Sequence, residues 1–267
     1  MKYCVAANMA GSPTTPVPLS GDFCEQMRKA HEMGYDAIEI HVPDVSVLDI
    51  PAIQACMRET GMEVATLGTG TIYGRYGLHL CDADEQRQQE LFERVCAFID
   101  CAAQLNARVT IGSIKGNIRP DEDREKHLDI LGKALKRIDD YAGQKNVTVL
   151  LEATNRYENN VLNTGAQLAD MIQGYALKHT RALMDAFHMN IEEAQGAEDC
   201  WMRAMFWGTS ILRITTACIR AAAALIFRRW RRAFAKSVTT ACCRSNACRS
   251  LTETRRQDAR ALSCTHF

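Results

Sequence analysis

The stretch VTVLLEATNRYENN (residues 147–160) decides how this chain is read. Apolar and β-branched residues run unbroken into Glu152, and a polar, asparagine-rich segment carrying a second acid, Glu158, follows. A short continuous apolar run closed by turn residues predicts a strand buried on both faces, as in a parallel sheet. RALMDAFHMN (residues 181–190) repeats the arrangement: an apolar run ends on Asp185, and His188 follows three residues later.

Working outward, strand and helix patterns alternate. KYCVAAN (2–8) is a strand, and DFCEQMRKAHEMG (22–34) a helix closed by Gly34. YDAIEIHV (35–42) is the next strand, then come a helix over 48–60 and the strand EVATLG (63–68). Over 84–105, Leu91, Val95, Phe98, Ile99, Ala102 and Leu105 recur at spacings of three and four, one face of a helix. ARVTIGS (107–113) is the fourth strand, and 121–144 a helix with Leu128, Leu131, Leu135 and Ile138 on one face. The fifth strand leads to a helix capped by Asn163 and running to Gly174; TRALMDA (180–186) is the sixth, with a helix starting near residue 189. Six β–α units of roughly 30 residues predict a parallel α/β sheet, and the architecture that fits is a (β/α)8 barrel.

In such a barrel, acids at the C-terminal ends of strands face the mouth. A lone acid there reads most simply as a helix N-cap. Two in consecutive units, each with a further polar group nearby, read as a site. Oxygen donors with an imidazole can hold a divalent cation and remove a proton beside a carbonyl. His41, after the second strand, also lies at the mouth. The glycine-rich GTGTIYGRYG (68–77) lacks the spacing of a phosphate-binding loop and reads as a flexible connection. GSIKG (112–116) is similar, with Lys115 as a candidate for anion contact.

At LLEATNRYENN and MDAFHMNIEE the chain resembles the xylose-isomerase-like TIM barrel superfamily. The likeness is to its sugar isomerases and epimerases: ketose 3-epimerases of the tagatose/psicose type, and hydroxypyruvate isomerases. It covers residues 1 to about 195. It implies a ketose or small hydroxy-carbonyl substrate, and proton transfer through an enediolate assisted by a divalent metal such as Mn2+ or Mg2+. It implies that Glu152 and Asp185 are metal ligands, that Glu152 is also the catalytic base, and that Glu158 and His188 contact substrate hydroxyls. The alternative within the family is a hydroxypyruvate isomerase. A DNA-repair endonuclease of the same superfamily would call for more histidine ligands and a basic groove.

The same pattern requires a His ending strand seven and a Glu ending strand eight, and the chain shows neither. Its composition changes near residue 200. Residues 201–267 hold 13 Lys+Arg and two acids, which leaves 19 and 30 of the 32 and 32 for residues 1–200, a net of −11. All six prolines precede residue 121, and of 16 glycines only Gly208 lies beyond residue 200. The chain therefore divides into a barrel portion of six units, 1–198, and a basic tail, 199–267. Read one base out of frame, the codons of GTSILRITTACI permit a HIHFADNNRLYP-like string. Those of KSVTTACCRSNACRS permit IGYDGVLSVECMP. Both are motifs of the missing strands, in the right order. The tail is thus expected to be a frameshifted reading of the last two units, with Ile211 where the His belongs and Asn246 where the Glu belongs. The competing reading takes FRRWRR (227–232) as a nucleic-acid-binding segment. The acidic first 200 residues give it no supporting basic face.

The remaining expectations are a small-molecule sugar as partner, with a homo-oligomer allowed, and neither nucleic acid nor membrane. Arginines interrupt the apolar runs of the tail, no secretory leader opens the chain, and the cysteine spacing makes no paired zinc framework. Reduced thiols and a cytoplasmic location are the corresponding reading.

Overall fold

In the computed structural model, which describes residues 3–9, 19–192 and 210–213, every strand pairing is parallel. The strands are β1 (Cys4–Asn8), β2 (Leu19–Ser20), β3 (Ala37–His41), β4 (Glu63–Gly68), β5 (Arg108–Ile111), β6 (Val149–Ala153), β7 (Thr180–Asp185) and β8 (Ser210–Arg213). Their order is β2-β1-β3-β4-β5-β6-β7-β8. Apart from the two-residue β2, sequence order is spatial order, the progression of a barrel wall. The helices are α1 (Phe23–Glu32), α2 (Ile50–Thr60), α3 (Gly70–Tyr76), α4 (Glu85–Leu105), α5 (Arg124–Gln144), α6 (Gly165–Gly174) and α7 (Ala186–Glu192).

Helix starts are set by short acids that accept orphan backbone amides. Asp22 accepts from the amide of Glu25, Asp49 from Ala52, Asp84 from Gln86 and Arg87, and Asp123 from Glu125 and Lys126. The cap of α6 is Thr164, not Asn163, and Gln167 completes a reciprocal capping box. Asn163 donates its side-chain amide to the carbonyls of Thr154 and Asn159.

The apolar stripe of α4 packs as its spacing predicts. Leu91, Val95, Phe98, Ile99, Ala102 and Leu105 are each no more than 2% exposed. Burying a side chain of the larger kind contributes about 1.5–3 kcal/mol. Of the expected α5 face, Leu131, Leu135 and Ile138 are buried. Leu128 is only half-buried, while His127 turns inward and its Nδ1 meets the carbonyl of Cys81 at 2.6 Å.

Three segments differ from the sequence reading. GTGTIYGRYG is not a flexible loop but holds α3, which ends at Gly77 in the left-handed region, φ 65°. The last helix starts at Ala186, directly after β7. Of the two units expected to be lost from the tail, the strand of the first is present: β8 pairs with β7 over Ala182↔Ser210 to Asp185↔Arg213. An exposed parallel edge accepts any extended segment of suitable β propensity, and the aliphatic SILR run satisfies that whatever its reading frame. Residues 238–247, Asn246 and the FRRWRR segment lie outside the described residues, as does the 198/199 boundary. No helix among the described residues is long and apolar enough to cross a membrane. Cys24, Cys56, Cys81, Cys96 and Cys101 are free thiols.

One buried acid fixes where β7 begins. Asp139 on α5, 1% exposed, accepts from the amides of Lys178 (2.9 Å) and His179 (2.8 Å) and from the Thr180 hydroxyl (2.7 Å). Asp139→Ala leaves those donors buried or half-buried without their acceptor. It is expected to cost about 3 kcal/mol, read as a lower urea midpoint at unchanged slope.

Candidate functional site

A chain of contacts identifies the inner face of the sheet. A side chain added at Gly112, just past β5, would place its Cβ 2.7 Å from Glu152 Oε2. Thr110, two residues back on the same face, shares a 2.7 Å hydrogen bond with Thr66 on β4. Gly68, two residues on from Thr66, lies against the ring of His41, and His41 Nε2 is 2.6 Å from Glu39 Oε1. Glu39, His41, Thr66, Thr110 and Glu152 therefore line one polar surface that runs from β3 to β6. His41, singled out at the mouth, belongs to this surface as the partner of Glu39.

Glu152 is the penultimate residue of β6 and Asp185 the last of β7. They are 7% and 2% exposed, and His188, one turn into α7, is 8% exposed. Ligand-type atoms of these three side chains lie within 4.8 Å of one another. Asp185 also caps α7, accepting from the Phe187 amide at 2.8 Å. The cap and the site are thus the same residue, not alternatives.

The hydrogen bonds of His188 decide what its ring offers. Nδ1 faces two donors of Asn155, the side-chain amide at 2.8 Å and the backbone amide at 3.3 Å. As an acceptor on Nδ1, the neutral ring carries its proton on Nε2, the tautomer this network assigns. Nε2 lies 4.0 Å from Glu152 Oε1. A protonated Nε2 suits donation to a substrate oxygen better than ligation of a cation. The same Asn155 amide donates to Glu158 Oε1 at 2.9 Å, which holds Glu158 3.8 Å from His188 Nδ1. All four residues singled out from sequence are therefore brought together: Glu152, Asp185 and His188 as a cluster, with Glu158 at its rim through Asn155.

Sequence reading passed over Asn155, 1% exposed, and misplaced Lys115. Lys115 is fully buried, so it cannot meet an anion arriving from solvent. Its Nζ donates to the backbone carbonyl of Glu152 and to Thr154 Oγ1, the latter at 3.0 Å. Burial pulls its pKa down to about 8, against the opposing pull of the Glu152 charge. The available signal was the pair of glycines in GSIKG: Gly112 leaves room for a carboxylate, and Gly116 turns with φ 86°.

The donor set fits a divalent cation at the two carboxylates. Hard, anionic oxygens suit Mn2+ or Mg2+, and the imidazole beside them suits a hydroxyl.

Residues 27–223 match the family described as the xylose isomerase-like TIM barrel. Among curated relatives, the chain is 27% identical over 177 residues to a 3-dehydro-D-guloside 4-epimerase of Escherichia coli, covering 63% of this chain and 65% of that one. It is 26% identical over 183 residues to a D-psicose 3-epimerase of Agrobacterium fabrum, covering 65% and 61%. The matched stretch thus spans a little under two thirds of each relative. The apo crystal structure of a 3-keto-D-glucoside 4-epimerase from E. coli superposes with a TM-score of 0.68 at 20% identity, over 87% of this chain and 88% of that one, a likeness of fold. The chain belongs to the xylose isomerase-like TIM barrel family.

Gly112→Ala is expected to push the Glu152 carboxylate aside while sparing the fold, because its Cβ meets the far end of a flexible side chain. Divalent-cation affinity should fall about tenfold at an unchanged urea midpoint; unchanged affinity would show that Gly112 does not set the carboxylate.

Proposed function

We propose that this member of the family derives from a sugar epimerase or isomerase acting on a ketose or small hydroxy-carbonyl, and that the chain as it stands lacks half of the site. The convergence of Glu152, Asp185 and His188 at the ends of β6 and β7 carries the reading. The names of the relatives support its chemistry.

Glu152 and Asp185 would hold the cation. When bound, Mn2+ or a similar ion supplies polarisation of the substrate's carbonyl and hydroxyl oxygens. Glu152 takes the proton from the carbon beside the carbonyl, and His188 and Glu158 hold sugar hydroxyls through the Nε2 proton and a carboxylate oxygen. The resulting enediolate is an epimer only after a proton returns to its opposite face, and that needs a second base across the mouth.

On β8, Ile211 stands opposite Leu183, and Arg213 is at the level of Asp185. Neither isoleucine nor arginine is a metal ligand, and Asn246 replaces a carboxylate base with a neutral amide. We attribute this to a change of reading frame between about residues 195 and 201, so that 199–267 is not the native end of the barrel.

The written chain is expected to exchange no proton at the carbon next to a ketose carbonyl. A chain restored to frame near residue 200 should do so with Mn2+, and Glu152→Gln should abolish the exchange there. General acid–base help is worth about 10²–10⁴-fold, so the difference is well within reach of deuterium incorporation followed by NMR. His188→Ala in the restored chain should mainly raise KM. Equal exchange by written and restored chains would overturn the reading.

A further inference from the structure

The pairing of β5 with β6 ends at Ile111↔Leu151, one residue short of Glu152. Beyond it β5 turns away into a 3-10 turn, Ser113–Lys115. On the other side, β6 stays paired with β7 through Glu152↔Leu183 and Ala153↔Met184. Glu152, which carries the proposed base, is thus the first residue of β6 beyond its last pair with β5. Its carbonyl accepts from Lys115 Nζ, which also holds Thr154 Oγ1. The turn is itself anchored: the carbonyls of Ile114 and Lys115 accept from the amides of Leu80 and Cys81 at 2.8 and 3.2 Å, and that of Gly116 from the Asn159 side chain. A lysine fully removed from water, with both its acceptors on one strand end, does not serve solubility or a surface ion pair.

We infer that Lys115 is a positioning residue: its ammonium continues the sheet where β5 stops, and so fixes the Glu152 carboxylate for the cation and the substrate. The inference rests on the cation-binding reading above for its consequence, but not for the positioning itself. Two effects of the ammonium oppose each other at a cation site. Its charge repels the ion, whereas its hydrogen bonds hold the ligand. If the bonds dominate, removing them weakens binding; if only the charge mattered, removing it would strengthen binding.

The test uses the full chain and two isosteric changes, Lys115→Met and Thr154→Val. Hydrogen exchange without metal reads positioning. Amides of residues 152–159 should exchange faster in Lys115→Met, with α4 and α5 unchanged. Mn2+ titration, followed by the EPR signal of the free ion, reads the consequence. Affinity should fall about tenfold or more in Lys115→Met and several-fold in Thr154→Val, the range of losses from removing groups that orient ligands. The double variant should bind no more weakly than Lys115→Met, because both changes break one interaction. Asp139→Asn, which loosens the barrel away from the site, should leave Mn2+ affinity alone, so a general loss of stability cannot mimic the effect. Should Lys115→Met fail to fold, Thr154→Val decides by the same two measurements. Unchanged exchange at 152–159, or Mn2+ affinity equal to or above that of the parent, overturns the inference. If the parent chain binds no Mn2+, the titration is made in the chain restored to frame; no binding there overturns the cation reading, and hydrogen exchange still decides the role of Lys115.

Discussion

A carboxylate that ends a buried strand needs its backbone and its oxygens held by something other than bulk water. At Glu152 that need shapes the elements around it. Its carbonyl is taken by a lysine, one oxygen fills the space that Gly112 leaves, and β7 supports it from the far side. The first two come from the segment after β5 and the third from β7, and a parallel sheet, with its strand ends at one rim, brings them together. The loop after β5 is therefore as much part of the Glu152 environment as β6 itself.

What the sequence disclosed followed the range of the interactions involved. Helix starts at Asp49, Asp84 and Asp123 are local, a side chain reaching amides two or three residues on, and they lie within two residues of the expected boundaries. The α4 stripe is likewise periodic within one element. Glu152 and Asp185 were legible because a strand's end can be read from the end of an apolar run. Asn155, Lys115 and Gly112 were not, since their partners lie 33, 37 and 40 residues away across strand pairs, and no spacing within a segment records that. The error at α3 has a different source. Four glycines in ten residues argue against a helix on propensity, yet Thr69 anchors its start with a 2.6 Å bond to the Thr110 carbonyl on β5. Tertiary contact overrode local preference.

The tail separates what a backbone requires from what a site requires. A parallel edge such as β7 presents amides and carbonyls that any aliphatic, β-branched run can pair, and Ser210–Arg213 does so. A catalytic rim is far more exacting, because it needs a particular side chain at a particular level. Strand pairing therefore makes no demand for a site side chain: β8 pairs with β7 although its four residues, Ser210–Arg213, include no imidazole or carboxylate.

The loop after β6 is tied down by its asparagines. Asn159 reaches the carbonyl of Gly116, Asn160 exchanges two hydrogen bonds with the backbone of Ile118, and Asn163 spans the carbonyls of Thr154 and Asn159. Asn155 orients both His188 and Glu158. Amides donate and accept without carrying charge, so the loop is cross-linked at no electrostatic cost to the cluster. Charged residues in those places would have added fields comparable to those of the site itself, at separations where burial leaves little screening. Among the described residues, Glu152, Asp185 and Glu158 lie near the buried ammonium of Lys115 with this neutral scaffolding between them. Arg156, the arginine of the same loop, is turned outward and tied to Glu192 at 2.9 Å. The asparagines thus fix the geometry of His188 and Glu158 without adding charge of their own beside the carboxylates.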